Sequence, residues 1–523
     1  MNLRLLSVLI GALCASLSAP AADKPNVIVI LADDLGFGDV SCNNPGSKIA
    51  TPNIDRIAAE GMRFTDAHTS SGVCTPTRYS LLTGRYHWRT KLQSGVLGGF
   101  SLPLIAAGRT TLASYLQTKG YHTACIGKWH LGMEWPLKGG AVADDGGDFG
   151  KPFEEVSRVD YLAPIQNGPV DRGFDHYYGI SASLDMFPFV WIRDRLPTEA
   201  ATAEKTWLRK GPAGPKFEAV DVQPGITRRL VDYIGERAAE AKSGTPFFAY
   251  VPLASPHTPI LPTPEFQGKS GINAYADFVL QVDRDIGIIT EALETNGLAE
   301  NTIVVFTSDN GCSPQAKIEE LLAAGHNPSH LYRGHKADAY EGGHRVPFLV
   351  RWPARVGAGG VSDQLVGQID LLATMADLFG EALPPGAGED SFSFLPVLTG
   401  EGPGARGSIV SQSINGSFAI RDGRWKLLLC PGSGGWSFPK PGADDTTGMP
   451  EFQLYDLAAD PGEKNNLVAE HPDRIAKMKA MMEEAIARGR TTPGEMLKND
   501  VEVTMIKPLP TAKTKGKGKA KAN

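Results

Sequence analysis

Short runs of β-branched and aromatic residues that stop abruptly at acidic or polar residues set the tightest limit on how this chain can fold. NVIVILADD (26–34), TPFFAYVPLASPH (245–257) and NTIVVFTSDNG (301–311) share that design. Unbroken apolar runs of this length need cover on both faces, which is the pattern of a mostly parallel sheet between helices. Tyr275, Phe278, Val279, Val282, Ile286, Ile289 and Leu293 recur at three- and four-residue steps, predicting a long helix with one apolar stripe. PNIDRIAAEGMRF (52–64) reads as a second helix, closed by Gly61. The expected fold class is therefore α/β: a large domain, residues 23–402, with a mostly parallel central sheet flanked by helices.

Composition shifts at PPGAGEDSF, from Pro384, and again at GEGPGARGS (400–408), where we place the boundary. Residues 403–495 read as a smaller C-terminal α+β domain with an antiparallel sheet. SFAIRDGRWKLLLC (417–430) predicts a hairpin turned at Asp422-Gly423, FQLYDLAADPGEKNNL (452–467) a strand and turn, and 471–488 a helix. Residues 496–523 are expected to be a flexible tail, ending in AKTKGKGKAKAN with five Lys among Gly and Ala. That tail suits a solvated role or a weak grip on polyanionic material.

The first 22 residues, MNLRLLSVLIGALCASLSAPAA, carry one positive charge, an apolar run and small residues at an A-x-A site. They read as a signal peptide cleaved near Ala21-Ala22, so an exported protein, periplasmic or secreted, is expected. No later run reaches the ~18 apolar residues that a membrane span needs. With a net charge of −6 over 523 residues, a phosphate-tracking nucleic-acid binder is not expected. Six Cys cannot form a disulfide scaffold in a chain this long.

The chemistry starts at the strand ends. Asp33-Asp34 follow NVIVIL and Asp309-Asn310 follow TIVVF, and the carboxyl ends of strands in open α/β sheets form the ligand crevice. Three carboxylates and an amide oxygen make a hard shell suited to Ca2+, with Mg2+ or Mn2+ fitting less well; acidic residues in such places also cap helices. The segment SSGVCTPTRYSLLTGRY (70–86) contains Cys74-Thr75-Pro76-Thr77-Arg78. This run resembles the signature of the type I sulfatases, formylglycine-dependent enzymes of arylsulfatase type within the alkaline-phosphatase-like superfamily, and the resemblance covers nearly all of the mature chain. One departure is Thr77, where many members carry Ser or Ala.

In that family the motif cysteine is oxidised to Cα-formylglycine during export, and its aldehyde hydrate is the nucleophile. The modification makes physical sense, because a serine or thiol attacking sulfur would be left as a stable sulfate adduct requiring a second difficult displacement. A hydrate avoids this by expelling sulfate through C–O cleavage. The resemblance implies that Asp33, Asp34, Asp309, Asn310 and the modified residue 74 hold one Ca2+, with Asp309 as the base. It assigns Arg78 to the ionised oxygen of the hydrate. IGKWHLG (126–132) supplies Lys128, which binds residue 74 and sulfate, and His130, which takes the hemiacetal proton; two apart in an extended segment, they point the same way. By the same resemblance His257 and Lys336 hold the sulfate ester, and one of them protonates the departing oxygen. Ser183, in GISASLD, matches a position that touches sulfate, with a turn or cap role also open. His335, His344 and His87 could line the pocket or be structural.

The expected activity is that of a sulfuric ester hydrolase releasing inorganic sulfate from sulfate monoesters, with sulfated carbohydrate as the substrate class. A formylglycine-generating maturation enzyme is an implied partner. Rival readings are a phosphonate or phosphodiester hydrolase of the same superfamily and a non-catalytic binder of sulfated glycan. The alcohol side is expected to be set by 141–167, 184–216 and the C-terminal domain; the oligomeric state is not legible.

Overall fold

A computed structural model describes residues 24–146, 154–442, 446 and 448–508. The expected signal peptide and the lysine-rich end of the tail lie outside the described residues. The strands of the central sheet are β1 (Asn26–Ala32), β2 (Met62–Phe64), β3 (His122–Lys128), β4 (His176–Ile180), β5 (Ile192–Arg193), β6 (Leu196–Pro197), β7 (Phe247–Pro252), β8 (Thr302–Ser308), β9 (Phe348–Arg351) and β10 (Gly360–Ser362). Among the described residues they run in the order β10-β2-β9-β8-β1-β7-β3-β4-β5-β6. The middle five, β8, β1, β7, β3 and β4, are all parallel to their neighbours.

Every residue of β1, β7 and β8 is buried, as continuous apolar runs demand. Each Val, Ile or Phe side chain moved out of water there contributes about 1.5–3 kcal/mol. The covering helices form two groups. α1 (Pro52–Ala59), α4 (Val222–Lys242) and α5 (Ala274–Thr295) pack on one another, while α2 (Cys74–Thr83), α3 (Leu112–Thr118) and α6 (Leu371–Leu378) form the other group. The stripe from Tyr275 to Leu293 is buried along α5 as its periodicity predicts.

The helix expected over 52–64 ends at Ala59, and Met62–Phe64 is the strand β2. Gly61 marks the change of structure. A Cβ there would lie 2.1 Å from the Val350 carbonyl oxygen, so only glycine lets the chain pass against β9. Beyond it, β2 takes its backbone partners from β9 and β10, which no local pattern in MRF announces.

The smaller sheet is an antiparallel meander of Ser408–Gln412, Phe418–Asp422, Trp425–Leu428 and Gln453–Asp456. The hairpin pairs Asp422 with Trp425, so its turn is Gly423-Arg424, one residue beyond the sequence expectation. The helix Pro472–Ala487 lays Met478 and Met482 over Val410, Ile420, Leu427 and Leu454, in a core shared with Tyr86, Trp88 and Ile369 of the larger unit. The described part of the segment from 496 onward packs back onto the body: Asp500 N donates to the Arg89 carbonyl oxygen, and the Asp500 carboxylate pairs with Arg85.

Two buried charge clusters tie the units together. The Arg89 guanidinium donates to both oxygens of Asp390 at 2.8 Å, to the Ala485 carbonyl oxygen and to Asn499. Lys426, on the C-terminal hairpin, lies 3.0 Å from Glu341 Oε1 and 2.8 Å from Glu463 Oε1, and donates to His344 Nε2 at 3.0 Å. Removing one partner from such a pair strands the other without a counterion. Asp390→Ala is accordingly expected to lower the unfolding free energy by about 3–5 kcal/mol, read as a fall in the urea midpoint. Burial opposes the charge on the Asp390 carboxyl, yet Arg89 outweighs it and holds the group below its ordinary value. A depressed folded-state value stabilises above the unfolded pKa and is lost as pH falls through the folded one, so the variant is expected to lose less further stability below about pH 4 than the native protein does.

Candidate active site

Parallel register builds the centre of the site. Ala32 of β1 is level with Ser308 of β8, so the chains leave the sheet side by side and Asp33-Asp34 meet Asp309-Asn310. Asp309 N donates to the Ala32 carbonyl oxygen at 3.0 Å, and Asp33 N donates to the Ser255 carbonyl oxygen in the loop after β7. That loop carries His257, whose Nε2 lies 3.7 Å from Asp34 Oδ2. β3 ends at Lys128, and its Nζ donates to Asp33 Oδ2 at 2.5 Å. Lys336 Nζ is 2.6 Å from Asp34 Oδ1.

Cys74 is the first residue of α2, a helix whose ten residues are all buried. A helix N-terminus presents unpaired N–H groups and a partial positive charge, both favourable to an anion. One turn along, Arg78 donates to Asp309 Oδ2 at 2.6 Å and to the Lys128 carbonyl oxygen at 3.0 Å, which fixes α2 against two strand ends. Gly72 makes the approach of the Lys336 loop possible. A Cβ on it would sit 2.8 Å from the Asp338 carbonyl oxygen, and Ala337 N donates to the Gly72 carbonyl oxygen at 2.7 Å. Asp34, His130 and Ala337 all take left-handed backbone conformations, with φ of 67°, 56° and 81°. Such strain in residues with a Cβ persists only where the surrounding structure over-determines it, commonly at functional sites.

The structure thus brings Asp33, Asp34, Cys74, Arg78, Lys128, His257, Asp309, Asn310 and Lys336 together. It alters one argument about them. Lys128 and His130 do not lie in one extended segment, because the strand stops at Lys128 and His130 turns left-handed. His130 still reaches the site's charges from a fully buried position, with Nε2 donating to the Leu97 carbonyl oxygen at 2.7 Å and Nδ1 left without a partner. His87 bonds Gln412 Oε1 at 2.7 Å, and His344 belongs to the Lys426 cluster, so both are structural. His335 donates from Nδ1 to the Lys336 carbonyl oxygen and braces that loop.

The electrostatics are those of opposed charges held out of water. Burial works against the Asp33 carboxylate, but Lys128, His257 and Arg78 hold it well below the usual range. Burial and the neighbouring charge of Asp33 push Asp309 up to about 7. His130 and His257 are both lowered, by burial first and then by Lys128 and Lys336 respectively. Burial raises the Cys74 thiol despite Lys128 and Lys336, so the unmodified side chain is no ready thiolate.

Asp33 Oδ1, Asp34 Oδ2 and Asn310 Oδ1 are buried and accept no hydrogen bond. Carboxylate oxygens removed from water without a donor are costly, and a hard divalent cation is the partner that oxygen ligands of this kind fit. A second acidic and imidazole group, His68, Glu341 and His344, is different. The Lys426 ammonium already occupies it.

Beyond Cys74 opens a cleft of about 160 Å3 whose wall includes Ser183, Asp185, Arg209, His257, Lys336 and Trp436. Ser183 Oγ is buried and unpartnered in it. Sequence reasoning did not single out Asp185, Arg209 or Trp436. Residues of 184–216 and of the C-terminal unit line this cleft, and no described residue of 141–167 does.

A family model described as Sulfatase matches residues 25–381. The chain belongs to the sulfatase family. Over 509 residues it is 35% identical to an N-acetylgalactosamine-6-O-sulfatase of Bacteroides thetaiotaomicron, covering 89% of this chain and 94% of that protein. It is 32% identical to human arylsulfatase A, over 88% of this chain and 86% of the relative. A solved structure from work on the metabolism of multiple glycosaminoglycans by Bacteroides thetaiotaomicron superposes with a TM-score of 0.75 at 33% identity, covering 89% of this chain and 99% of that one. This sulfatase is therefore a sulfuric ester hydrolase. Among its described residues no helix is long and apolar enough to cross a membrane.

The unpartnered oxygens lead to a measurement that does not depend on turnover. Sulfatase stripped of divalent ions is expected to gain stability when Ca2+ is restored, by about 2.7 kcal/mol at a hundredfold excess over the dissociation constant, seen as a rise in the thermal midpoint. Asp34→Ala should abolish the rise. A midpoint indifferent to Ca2+, Mg2+ and Mn2+ would rule the cation site out.

Proposed function

We propose that this sulfatase is exported, that Cys74 is oxidised to formylglycine, and that it releases sulfate from sulfated carbohydrate with one Ca2+ held by Asp33, Asp34, Asp309, Asn310 and residue 74. The observation that carries the proposal is the set of donorless buried oxygens beside residue 74, faced by Lys128, Lys336, Arg78 and His257. The carbohydrate reading is supported by the N-acetylgalactosamine-6-O-sulfatase relative. Export is supported by the leader-like first 22 residues, and maturation requires a formylglycine-generating enzyme as a partner.

The cation would withdraw charge from sulfate oxygens and from the oxygen on residue 74. The oxidised residue 74 would supply an oxygen nucleophile that is regenerated without a second displacement at sulfur. Around them the chain's own side chains divide the work. Lys128 and Lys336 hold sulfate oxygens, adding fixed positive charge where negative charge accumulates. Arg78 keeps Asp309 and the end of β3 in place and offsets charge on the oxygen of residue 74. Asp309, paired with Arg78 one turn along the helix from residue 74, serves as base towards residue 74. His257 commits Nδ1 to the Thr258 carbonyl oxygen at 2.6 Å and so turns Nε2 towards the substrate. Lys336, held as an ammonium by Asp34, then passes a proton to the departing alcohol oxygen, a step His257 could take only as an imidazolium protonated at Nε2. His130, kept neutral by burial, offers its unpartnered Nδ1 to the proton that must leave residue 74 before sulfate departs.

Mass spectrometry of the tryptic peptide containing residue 74 tests the modification: formylglycine makes it lighter than the cysteine form by ~18 Da. An unmodified peptide from fully active native enzyme would overturn the proposal. Cys74→Ala is expected to cost at least about 10^3 in kcat on 4-nitrophenyl sulfate, the loss typical when a nucleophile is removed.

A further inference from the structure

The cleft leading away from residue 74 contains a charged pair that the sulfate chemistry does not use. Asp185 lies two residues beyond Ser183 in the loop that follows β4, is 6% exposed, and forms an ion pair through Oδ2 with the Arg209 guanidinium. Its other oxygen, Oδ1, is buried and accepts no hydrogen bond. Arg209 NH1 also lies 3.3 Å from the Asp185 carbonyl oxygen. Both residues line the cleft with Cys74, so they face whatever group carries the sulfate.

The cleft is also lined by Trp436, whose backbone is anchored. The Trp436 and Ser437 backbone N–H groups donate to Asp338 Oδ1 at 2.8 and 3.0 Å. Asp338 is two residues from Lys336 and fully buried, so the tryptophan is registered to the same loop that carries the sulfate-side lysine. Met186 and Leu208 line the same cleft. A lining that combines apolar surface for C–H groups with groups that exchange hydrogen bonds is what a sugar ring asks for, since a pyranose presents an apolar face and a rim of hydroxyls.

We infer that Asp185 and Arg209 together read a hydroxyl group of the sugar ring that bears the sulfate, with Trp436 as the platform for the ring; this rests on the carbohydrate reading above. Asp185 Oδ1 accepts a hydrogen bond from the hydroxyl and the Arg209 guanidinium donates one to the hydroxyl oxygen. The pair is neutral overall and its free atom is an acceptor, which selects an uncharged hydroxyl. A uronic acid carboxylate in that place would face Asp185 with like charge and no proton to give.

The test compares an aryl sulfate with sulfated sugars, in the native enzyme and in variants at Asp185. Sulfate release is measured for 4-nitrophenyl sulfate, which has no hydroxyl rim, and for sulfated hexoses and hexosamines together with their monodeoxy analogues. In Asp185→Ala the ratio of kcat/KM on sugar sulfate to that on 4-nitrophenyl sulfate is expected to fall by about 10- to 100-fold, the range for a hydrogen bond to a charged group. For one ring position, the deoxy sugar should cost the native enzyme that factor and cost the variant nothing more. Asp185→Asn, which keeps the side-chain volume, should show the same ratio change if Asp185→Ala folds poorly. An unchanged ratio, or deoxy losses equal in native enzyme and variant at every position, would overturn the inference and leave the carbohydrate reading standing. A native enzyme that turns over 4-nitrophenyl sulfate and no sulfated sugar would sink both.

Discussion

Three carboxylates and three permanent cations share a volume from which water is almost wholly excluded: Asp33, Asp34 and Asp309 against Arg78, Lys128 and Lys336. None of these charges could be buried alone. Each is tolerable because its counter-charge arrives on another element: β1 and β8 bring the acids, β3, α2 and the Lys336 loop the bases. The arrangement is thus a condition for closing the fold as well as a site, and it is the reason the strands must stop where they do. Its imperfection is the functional part. Several oxygens remain without donors, and a site so organised is poised for a cation and an anionic substrate, its dipoles fixed before either arrives.

The C-terminal unit has a share in that site although none of the catalytic candidates lies on it. Lys426 pairs with Glu341 and Glu463 in a fully buried cluster, and Arg89 is held between Asp390 and the last helix. These contacts fix the small sheet against the large one closely enough for Trp436 and Ile414 to form part of the cleft wall. Asp338, which takes two N–H groups from the 436–437 segment, is the direct link between that wall and Lys336.

How much was readable in advance depended on whether a residue's role is local. NVIVILADD and NTIVVFTSDNG declare their strands because a buried parallel strand must be apolar throughout, and they declare their polar ends because something must satisfy them. CTPTR and GKWH were legible as chemistry because they match motifs of the family that the chain resembles. The strand at Met62–Phe64 was hidden, since its partners lie almost three hundred residues away and three residues carry no period. The left-handed turn at His130 was hidden for a related reason. His344 and His87 looked as eligible as His257 until packing assigned them to Lys426 and Gln412.

The amino-acid sequence by itself settled the α/β class and the acidic strand ends, because each is written in contiguous residues whose physical preferences need no partner, and its CTPTR run carried the resemblance to the family. Tertiary structure decided which oxygens stay without donors, which histidines face the site, and that Asp185, Arg209 and Trp436 meet in one cleft. Those facts depend on distances between segments that in places lie more than three hundred residues apart, and such distances are fixed by strand register and side-chain packing, which no single stretch of chain encodes.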